Sequence, residues 1–173
     1  NNVELICTTA DDINIKDASC DKITATQTLE YIKDIDTSLK EIKRISKTNS
    51  KFVNVSILWD YFRFYGPEKE INDISHEAFR THCFHQMLPL DLNGKLKKLG
   101  YKNISSQNLS YLITNRDNNS PAIFYETMLS KFALSQGVSE DKVDDWRKQL
   151  NESEKVGNFG FTSFPVLTAA YLG

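Results

Sequence analysis

All three histidines of the chain lie within ten residues, and they are the side chains best suited to catalysis or metal binding. His82 and His85 are three residues apart, Cys83 lies between them, and His76 precedes His82 by six residues. Structural zinc sites space their ligands in pairs, and this group contains neither a C-x-x-C nor an H-x-x-x-H pair. A nucleophilic Cys–His pair is also disfavoured, because adjacent residues on a helix point about 100° apart. The pattern therefore favours partly buried or substrate-facing histidines and predicts no metal site.

An aromatic stretch precedes the histidines and offers surfaces for a bound molecule. It consists of Trp59, Tyr61, Phe62, Phe64 and Tyr65. Aromatic side chains at this density pack in a core or a lid more often than they bind a ligand. The sequence leaves both roles open for each of them.

Composition limits the kind of protein that these residues serve. The 173 residues are 40% hydrophobic and 11% aromatic, enough for a core, and their length predicts one domain over residues 1–173. The formal charge of -2, from 21 basic and 23 acidic residues, argues against a nucleic-acid-binding surface. Three cysteines (Cys7, Cys20 and Cys83) predict reduced, buried thiols in a cytoplasmic protein. We find no transmembrane-length apolar run and no leader pattern, and the initial Asn leads us to expect a longer gene product.

The elements that would position these side chains begin with a βαβ pattern. Residues 3–7 and 22–26 are short apolar runs that predict strands. Apolar residues at helical spacing behind Asp34 predict a helix over 35–46, and the apolar run 52–58 predicts a parallel strand covered on both faces. Strand, helix and strand at this spacing indicate a parallel α/β unit.

The rest of the chain mixes helices with antiparallel strands. We predict helices over 76–87, over 89–99, from Ser120 to Gly137 and from Ser139 to Leu150, and strands over 101–113 and 159–172. Pro165 predicts an edge or a bulge in the last strand.

Five segments in this order resemble a family. They are residues 9–13 with 19–21, residues 26–31, residues 41–47, residues 88–101, and residues 138–161. Their patterns, such as Thr28-Leu29-Glu30-Tyr31 where "LEH" is usual, resemble class I S-adenosylmethionine (SAM) dependent methyltransferases of the small-molecule type. The resemblance implies a Rossmann-like α/β fold with a mostly parallel sheet, helices on both faces and a C-terminal antiparallel strand pair. It also implies helical insertions at about 62–88 and 118–152.

The resemblance assigns a cofactor site to the first two segments. In this family the turn after the third strand holds adenine, which implies that Thr9, Ala10 and Asp11 contact the adenine of SAM. The loop after the fourth strand lies beside the sulfonium, which implies the same for Thr26 and Gln27. An alternative for Asp11 is a turn or cap role without a ligand.

The resemblance also assigns the acceptor side. Substrate-binding residues would come from the aromatic stretch and the following helix, which gives Trp59, Tyr61 and Arg80. A base is needed only if the acceptor arrives protonated, and His76 and His85 are the candidates. The expected reaction is methyl transfer to a small organic molecule.

The family's N-terminal glycine-rich loop has no counterpart here, since no G-x-G follows an N-terminal strand. We therefore expect the N-terminal part of the fold to be missing, and another polypeptide or an N-terminal portion to complete the sheet. The same absence keeps a second hypothesis open, a non-catalytic methyltransferase-like subunit that stabilises or regulates a partner. A third is a methyltransferase fold that performs other chemistry.

Overall fold

A computed structural model describes residues 2–173. The strands are β1 (Cys20–Thr26), β2 (Ser46–Ile57), β3 (Arg63–Tyr65), β4 (Tyr101–Asn108), β5 (Tyr111–Ile113), β6 (Gly160–Ser163) and β7 (Pro165–Leu172). The helices are α1 (Ile35–Ile45), α2 (Lys69–Phe79), α3 (Leu88–Lys98), α4 (Pro121–Ser135) and α5 (Glu140–Lys155).

The chain forms two compact units. The sheet unit comprises residues 2–57, Met87–Leu109 and Pro165–Gly173, and the helical unit comprises Leu58–Gln86 and Ser110–Phe164. Most of the two insertions expected at about 62–88 and 118–152 falls in the helical unit. One domain over residues 1–173 stays a prediction.

The sheet unit confirms the α/β class. Its four strands lie in the order β1-β2-β7-β4, with β1 and β2 parallel and β7 antiparallel to both of its neighbours. The expected C-terminal antiparallel pair is therefore present as β4 and β7. Both helices of this unit, α1 and α3, pack on one face of the sheet, in a single apolar core with residues of β1, β2 and β7.

Helix α1 forms where its cap and its apolar spacing predict. The carboxylate of Asp34 accepts hydrogen bonds from the backbone N–H of Thr37 at 3.0 Å and from its hydroxyl at 2.7 Å, and these bonds lower the pKa of Asp34. Ile35, Leu39 and Ile42 then fall on one face and are buried.

A bulge lies near the start of β2. The pairing of β1 with β2 shifts between Cys20 and Lys22, which face Ser46 and Lys51. Asn49 lies within the bulge with φ of +62°, a left-handed conformation that Asn tolerates better than most residues.

The strand predicted over residues 3–7 does not form. Leu5 is 93% exposed, and the segment up to residue 19 contains only an isolated bridge between Thr9 and Asp12. A short apolar run becomes a strand only when a neighbour takes its backbone hydrogen bonds, and the described chain supplies none for this one. Cys7 is consequently exposed, contrary to the prediction of a buried thiol.

Residues 13–17, which precede β1, are held in place by hydrogen bonds to Arg44 of α1. Its guanidinium donates hydrogen bonds to the backbone oxygens of Ile13 at 2.8 Å and Ile15 at 3.0 Å, and to Asp17. Glu41, which pairs with Arg44, accepts the N–H of Ile13 at 2.8 Å.

The helical unit is built on a small antiparallel sheet in the order β3-β6-β5. Strand β3 lies at its edge, and two residues of α2 bond the backbone of Phe64 on that strand. The side-chain amide of Asn72 donates to the Phe64 carbonyl at 2.9 Å, and the Phe64 N–H donates to His76 at 3.1 Å. Trp146 of α5 donates its indole N–H to Asn72 at 3.0 Å, which ties two helices to this strand.

Three predicted boundaries were wrong. The segments 101–113 and 159–172 each divide into two strands that belong to different sheets. Pro165 is the first residue of β7, a position that tolerates the missing N–H even though β7 is central in its sheet. Helix α2 ends at Phe79, so His76 lies in its last turn, and Arg80–His82 continue as a 3₁₀ turn.

Within residues 2–173, no helix combines the length and the apolarity needed to cross a bilayer. In the same part of the chain, no His, Cys, Asp and Glu side chains gather as a group of three that could hold a metal ion.

Candidate functional site

Two residues expected at the cofactor stand where strand β1 ends. Thr26 is the last residue of β1, and Gln27 follows it with φ of +46°. The backbone N–H of Gln27 donates to the carbonyl of Val55 on β2 at 2.7 Å, which fixes this turn at the carboxyl edge of the parallel pair. Ligands of open α/β sheets bind at such an edge. Both side chains are exposed and available for a ligand.

The other three expected residues form a tight turn. The N–H of Asp12 donates to the carbonyl of Thr9 at 3.4 Å, and the hydroxyl of Thr8 donates back to the Asp12 carbonyl. Asp11 and Thr9 are exposed, and Ala10 is half-buried. The turn therefore presents a hydroxyl and a carboxylate to solvent.

A buried polar group lies a few residues beyond Gln27. Glu30 has no exposed surface, and its Oε2 accepts from the hydroxyl of Ser56 at 3.1 Å. That hydroxyl in turn accepts from the side-chain amide of Asn54 at 2.8 Å. Glu30 Oε1 and Asn54 Oδ1 have no hydrogen-bond partner in the structure. Burial away from water raises the pKa of Glu30, and its hydrogen bonds offset only part of that rise.

The helical unit contains a cavity of about 240 Å³. Aromatic walls, two arginines and two acids surround it, together with one histidine and one glutamine: Trp59, Asp60, Phe62, Arg63, His76, Glu77, Phe79, Arg80 and Gln86. Three of the residues expected to face a substrate, Trp59, His76 and Arg80, are thus brought together.

His76 lines this cavity as a neutral ring. Its Nε2 accepts the N–H of Phe64, so the ring proton must reside on Nδ1. Burial, reinforced by the nearby charge of Arg63 and opposed by that of Asp73, lowers the pKa of His76 to about 4. The ring therefore offers a donor at Nδ1, while its accepting nitrogen is already occupied.

The charges around the cavity are paired with one another. Arg80 lies 3.3 Å from Asp60 and 3.3 Å from Glu77, the two acids of the lining. Arg63 is held by Asp73, outside the lining. Each guanidinium carries five N–H groups, so donors remain after these pairs are made.

Two polar side chains of the lining have buried atoms without partners. They are the indole N–H of Trp59 and both amide atoms of Gln86. The two residues are neighbours, since the backbone N–H of Trp59 donates to the Gln86 carbonyl at 3.0 Å. Unpaired buried polar atoms are rare in proteins and mark places where a water or a ligand fits.

Comparison with known proteins gives the fold its context. The model of a methyltransferase domain matches residues 1–54. Among curated proteins, none matches the sequence. Solved structures of similar fold include a proposed methyltransferase from Bacillus halodurans, with a TM-score of 0.56, 12% identity, and coverage of 98% of this chain and 77% of that one.

Two further structures agree. A SAM-dependent methyltransferase from Thermotoga maritima has a TM-score of 0.53 and 11% identity, over 99% of this chain and 65% of that one. Phosphoethanolamine N-methyltransferase 2 from Haemonchus contortus, in complex with S-adenosyl-L-methionine, has a TM-score of 0.51 and 16% identity, over 94% of this chain and 35% of that one. The chain has a class I methyltransferase fold.

The methyltransferase resemblance of the sequence is confirmed by these comparisons. The match over residues 1–54 and the similar folds both come from methyltransferases. The order β1-β2-β7-β4, with β7 antiparallel to both of its neighbours, contains the C-terminal antiparallel strand pair that the resemblance implied.

Two residues expected on the acceptor side, Tyr61 and His85, lie outside the cavity lining. Tyr61 is 53% exposed, and its ring packs on Phe164 with centroids 5.5 Å apart. His85 is half-buried. Neither lines the cavity.

Sequence reasoning missed Arg63, Gln86 and the buried cluster around Glu30. Arg63 lies within the aromatic stretch, and no pattern in the sequence distinguishes it from its neighbours. His76 and Arg80 are four residues apart, a spacing that places both on one helical face. Nothing in the sequence marks Gln86, because its burial depends on contacts between distant segments.

Proposed function

We propose that this chain is the acceptor-recognising part of a SAM-dependent methyltransferase that acts on a small organic molecule. The observation that carries the proposal is the cavity of about 240 Å³, which is lined by residues of β3, of α2 and of the 3₁₀ turn Trp59–Tyr61. A cavity of this volume holds one small molecule and no polymer chain. The proposed substrate-binding residues are Trp59 and Arg80, which line the cavity, and Tyr61 on the exposed side.

The residues proposed for the cofactor fit its chemistry. Thr9 and Asp11 offer acceptors for an adenine amino group, and Thr26 and Gln27 offer hydroxyl and amide groups for the polar amino-acid end. When bound, S-adenosylmethionine supplies a methyl group made reactive by the positive sulfur. The part of this chain is to orient the acceptor, which supplies much of the rate of an in-line displacement.

Of the two proposed bases, His76 lines the cavity and His85 does not. Nε2 of His76 is occupied by the Phe64 N–H, and taking up a second proton at that atom would break a bond that holds β3. We therefore propose that His76 binds and orients the acceptor, and that His85 is the candidate base for an acceptor that arrives protonated.

A titration of the chain with SAM tests the cofactor assignment. Thr26 and Thr24 are both exposed residues of β1, but only Thr26 stands at the carboxyl edge. Because no glycine-rich loop occurs in this sequence, we expect weak SAM binding by the chain alone. In the presence of the polypeptide or segment that completes the sheet, calorimetry should show SAM binding that Thr26→Val weakens and that the matched Thr24→Val leaves unchanged. Equal loss in both variants would contradict a site at this edge.

We also propose that another polypeptide or an N-terminal segment adds a strand beside β1. Within residues 2–173, β1 pairs only with β2, so its other edge presents unpaired backbone groups. Analytical ultracentrifugation with mass spectrometry of intact material tests this proposal. A lone monomer of 19.8 kDa that unfolds in one cooperative transition would reject it. We propose a cytoplasmic setting as well, supported by three cysteines without a disulfide in the described chain.

A non-catalytic subunit is the second candidate function. It is favoured by the absence of a G-x-G-x-G loop in the sequence and by the exposure of Thr9 and Asp11. Titration without heat from SAM or S-adenosylhomocysteine, alone and with a candidate partner, would support the subunit and exclude the enzyme.

A further inference from the structure

The cavity of the helical unit presents an excess of hydrogen-bond donors. His76 Nδ1 carries the ring proton, and none of the described residues accepts a hydrogen bond from it. Trp59 is only 6% exposed, yet its indole N–H is also without a partner. An indole N–H is a donor only, so a ligand must bring an acceptor to satisfy it.

The acids of the lining do not balance these donors. Asp60 and Glu77 both lie against Arg80, which keeps further N–H groups in reserve. Gln86 adds two N–H donors and one acceptor. Planar guanidinium groups and N–H donors bind oxyanions well, because charge-assisted hydrogen bonds are the stronger kind.

The walls of the cavity select the rest of the ligand. The rings of Trp59, Phe62 and Phe79 form a cluster with centroid separations of 5.1 Å, 5.6 Å and 5.7 Å. Such rings favour a planar apolar body at offset or edge-on geometry. A volume of about 240 Å³ admits one ring with a short substituent.

We propose that the acceptor substrate is a small aromatic carboxylic acid, whose carboxylate is held by Trp59 Nε1–H, His76 Nδ1–H and Arg80. That this ligand is the methyl acceptor rests on the proposed function, whereas its binding in the cavity does not require SAM. His76 acts here as a binding residue, and its Nε2 bond to Phe64 fixes the tautomer that makes Nδ1 a donor.

Binding of four related probes to the intact chain tests the assignment without SAM. The probes are benzoate, benzamide, benzylamine and phenyl phosphate, and calorimetry measures the binding of each. Benzoate should bind, and neutral benzamide should bind about tenfold more weakly or worse, because the charge-assisted bonds are lost. Benzylamine should not displace bound benzoate. Tighter binding of phenyl phosphate would overturn the carboxylate in favour of a phosphate, and equal or tighter binding of benzamide or benzylamine would overturn an oxyanion altogether.

Conservative variants locate the binding groups. Trp59→Phe keeps the ring and removes the N–H, and Arg80→Gln removes the charge; each should weaken benzoate about tenfold and leave benzamide nearly unchanged. His76→Gln keeps an acceptor for Phe64 and removes the imidazole donor. Tyr171→Phe, on an exposed ring of the sheet unit that is not part of the cavity lining, is the matched control and should bind as the parent does. Loss of benzoate and benzamide in equal measure would contradict the assigned contacts.

The two proposals fail separately. Benzoate binding with no SAM binding would remove the methyltransferase proposal and keep the carboxylate site. SAM binding with no affinity for any carboxylate would remove the carboxylate site and keep the methyltransferase proposal. Since the four-probe comparison is made on the parent chain, it stands even if a variant fails to fold.

Discussion

Each unit buries one carboxylate, and the two solve the problem of burial differently. Glu126 of the helical unit is 2% exposed and contacts two guanidinium groups, Arg116 at 2.5 Å and Arg147 at 3.1 Å. Glu30 of the sheet unit has no exposed surface, and its one side-chain partner among the described residues is the neutral hydroxyl of Ser56. Opposite charges stabilise the Glu126 carboxylate. Burial instead raises the pKa of Glu30, which favours the neutral form of that acid.

The difference separates a structural role from a possible functional one. The Arg116 network joins the loop after β5 to α4 and α5, since Arg116 also contacts Asn151 and its N–H donates to Glu154 at 2.5 Å. Glu30 keeps one oxygen without a partner close to the edge where a cofactor is proposed. A fully paired acid fixes the fold, whereas an incompletely paired one leaves a group that another molecule can satisfy.

Glu126→Gln should have the largest effect. It leaves Arg116, whose side chain is 6% exposed, as a buried charge without its main partner, and should lower the free energy of unfolding by about 3 kcal/mol. Urea denaturation measures this change. The control is Glu152→Gln, whose exposed pair with Lys148 at 3.9 Å should contribute less than about 0.5 kcal/mol. Equal effects of the two changes would mean that Glu126 is not stabilised by buried pairing.

Glu30→Gln should act in the opposite direction. The amide removes the need to bury a charge, so stability at pH 7 should rise by about 1 kcal/mol. Ser56→Ala leaves the carboxyl without its only side-chain donor and should lower stability by about 1–2 kcal/mol. Denaturation at one pH with both variants checks the signs. Destabilisation by Glu30→Gln would show that the charged form is the one the fold requires.

Burial of Glu30 makes the free energy of unfolding depend on pH, with a sign that follows from its pKa. The pKa of Glu30 in the folded chain lies above its ordinary value of 4.5, so the folded state holds the proton more tightly than the unfolded state. The resulting stabilisation is complete below pH 4.5 and is lost as the pH rises through the folded pKa. Unfolding measured across this window should show a fall in stability in the parent that Glu30→Gln lacks. Parallel profiles would contradict the assignment.

The contrast between the units also explains what sequence could predict. In the sheet unit, α1 and the parallel strands follow from local signals: the Asp34 cap, the spacing of Ile35, Leu39 and Ile42, and a continuous apolar run. In the helical unit, the edge strand β3 depends on Asn72 and His76 reaching the backbone of Phe64, a contact between segments that no periodicity reveals. The strand expected over residues 3–7 failed for the same reason, because strands depend on partners that lie elsewhere.

The candidate site follows the same division. The resemblance assigned Trp59, His76 and Arg80 to the acceptor side, because they lie in the aromatic stretch and in the helix predicted after it. The donor role of His76, in contrast, is set by a single backbone N–H, and the part played by Gln86 depends on its burial. The resemblance thus predicts candidates, and three-dimensional contacts decide which atom of each candidate is available.

Arg147→Ala should have the smallest effect and sharpens the comparison within the Glu126 network. Arg147 is 51% exposed, so solvent screens its contact with Glu126, while Arg116 is buried beside the same carboxylate. Removing Arg147 should lower the free energy of unfolding by less than about 1 kcal/mol. Arg116→Met, measured in the same denaturation series, should cost about 3 kcal/mol, because it leaves Glu126 buried with only a screened partner. If the two losses were equal, burial of the partner would not be what stabilises this acid, and the contrast with Glu30 would rest on the number of charges alone.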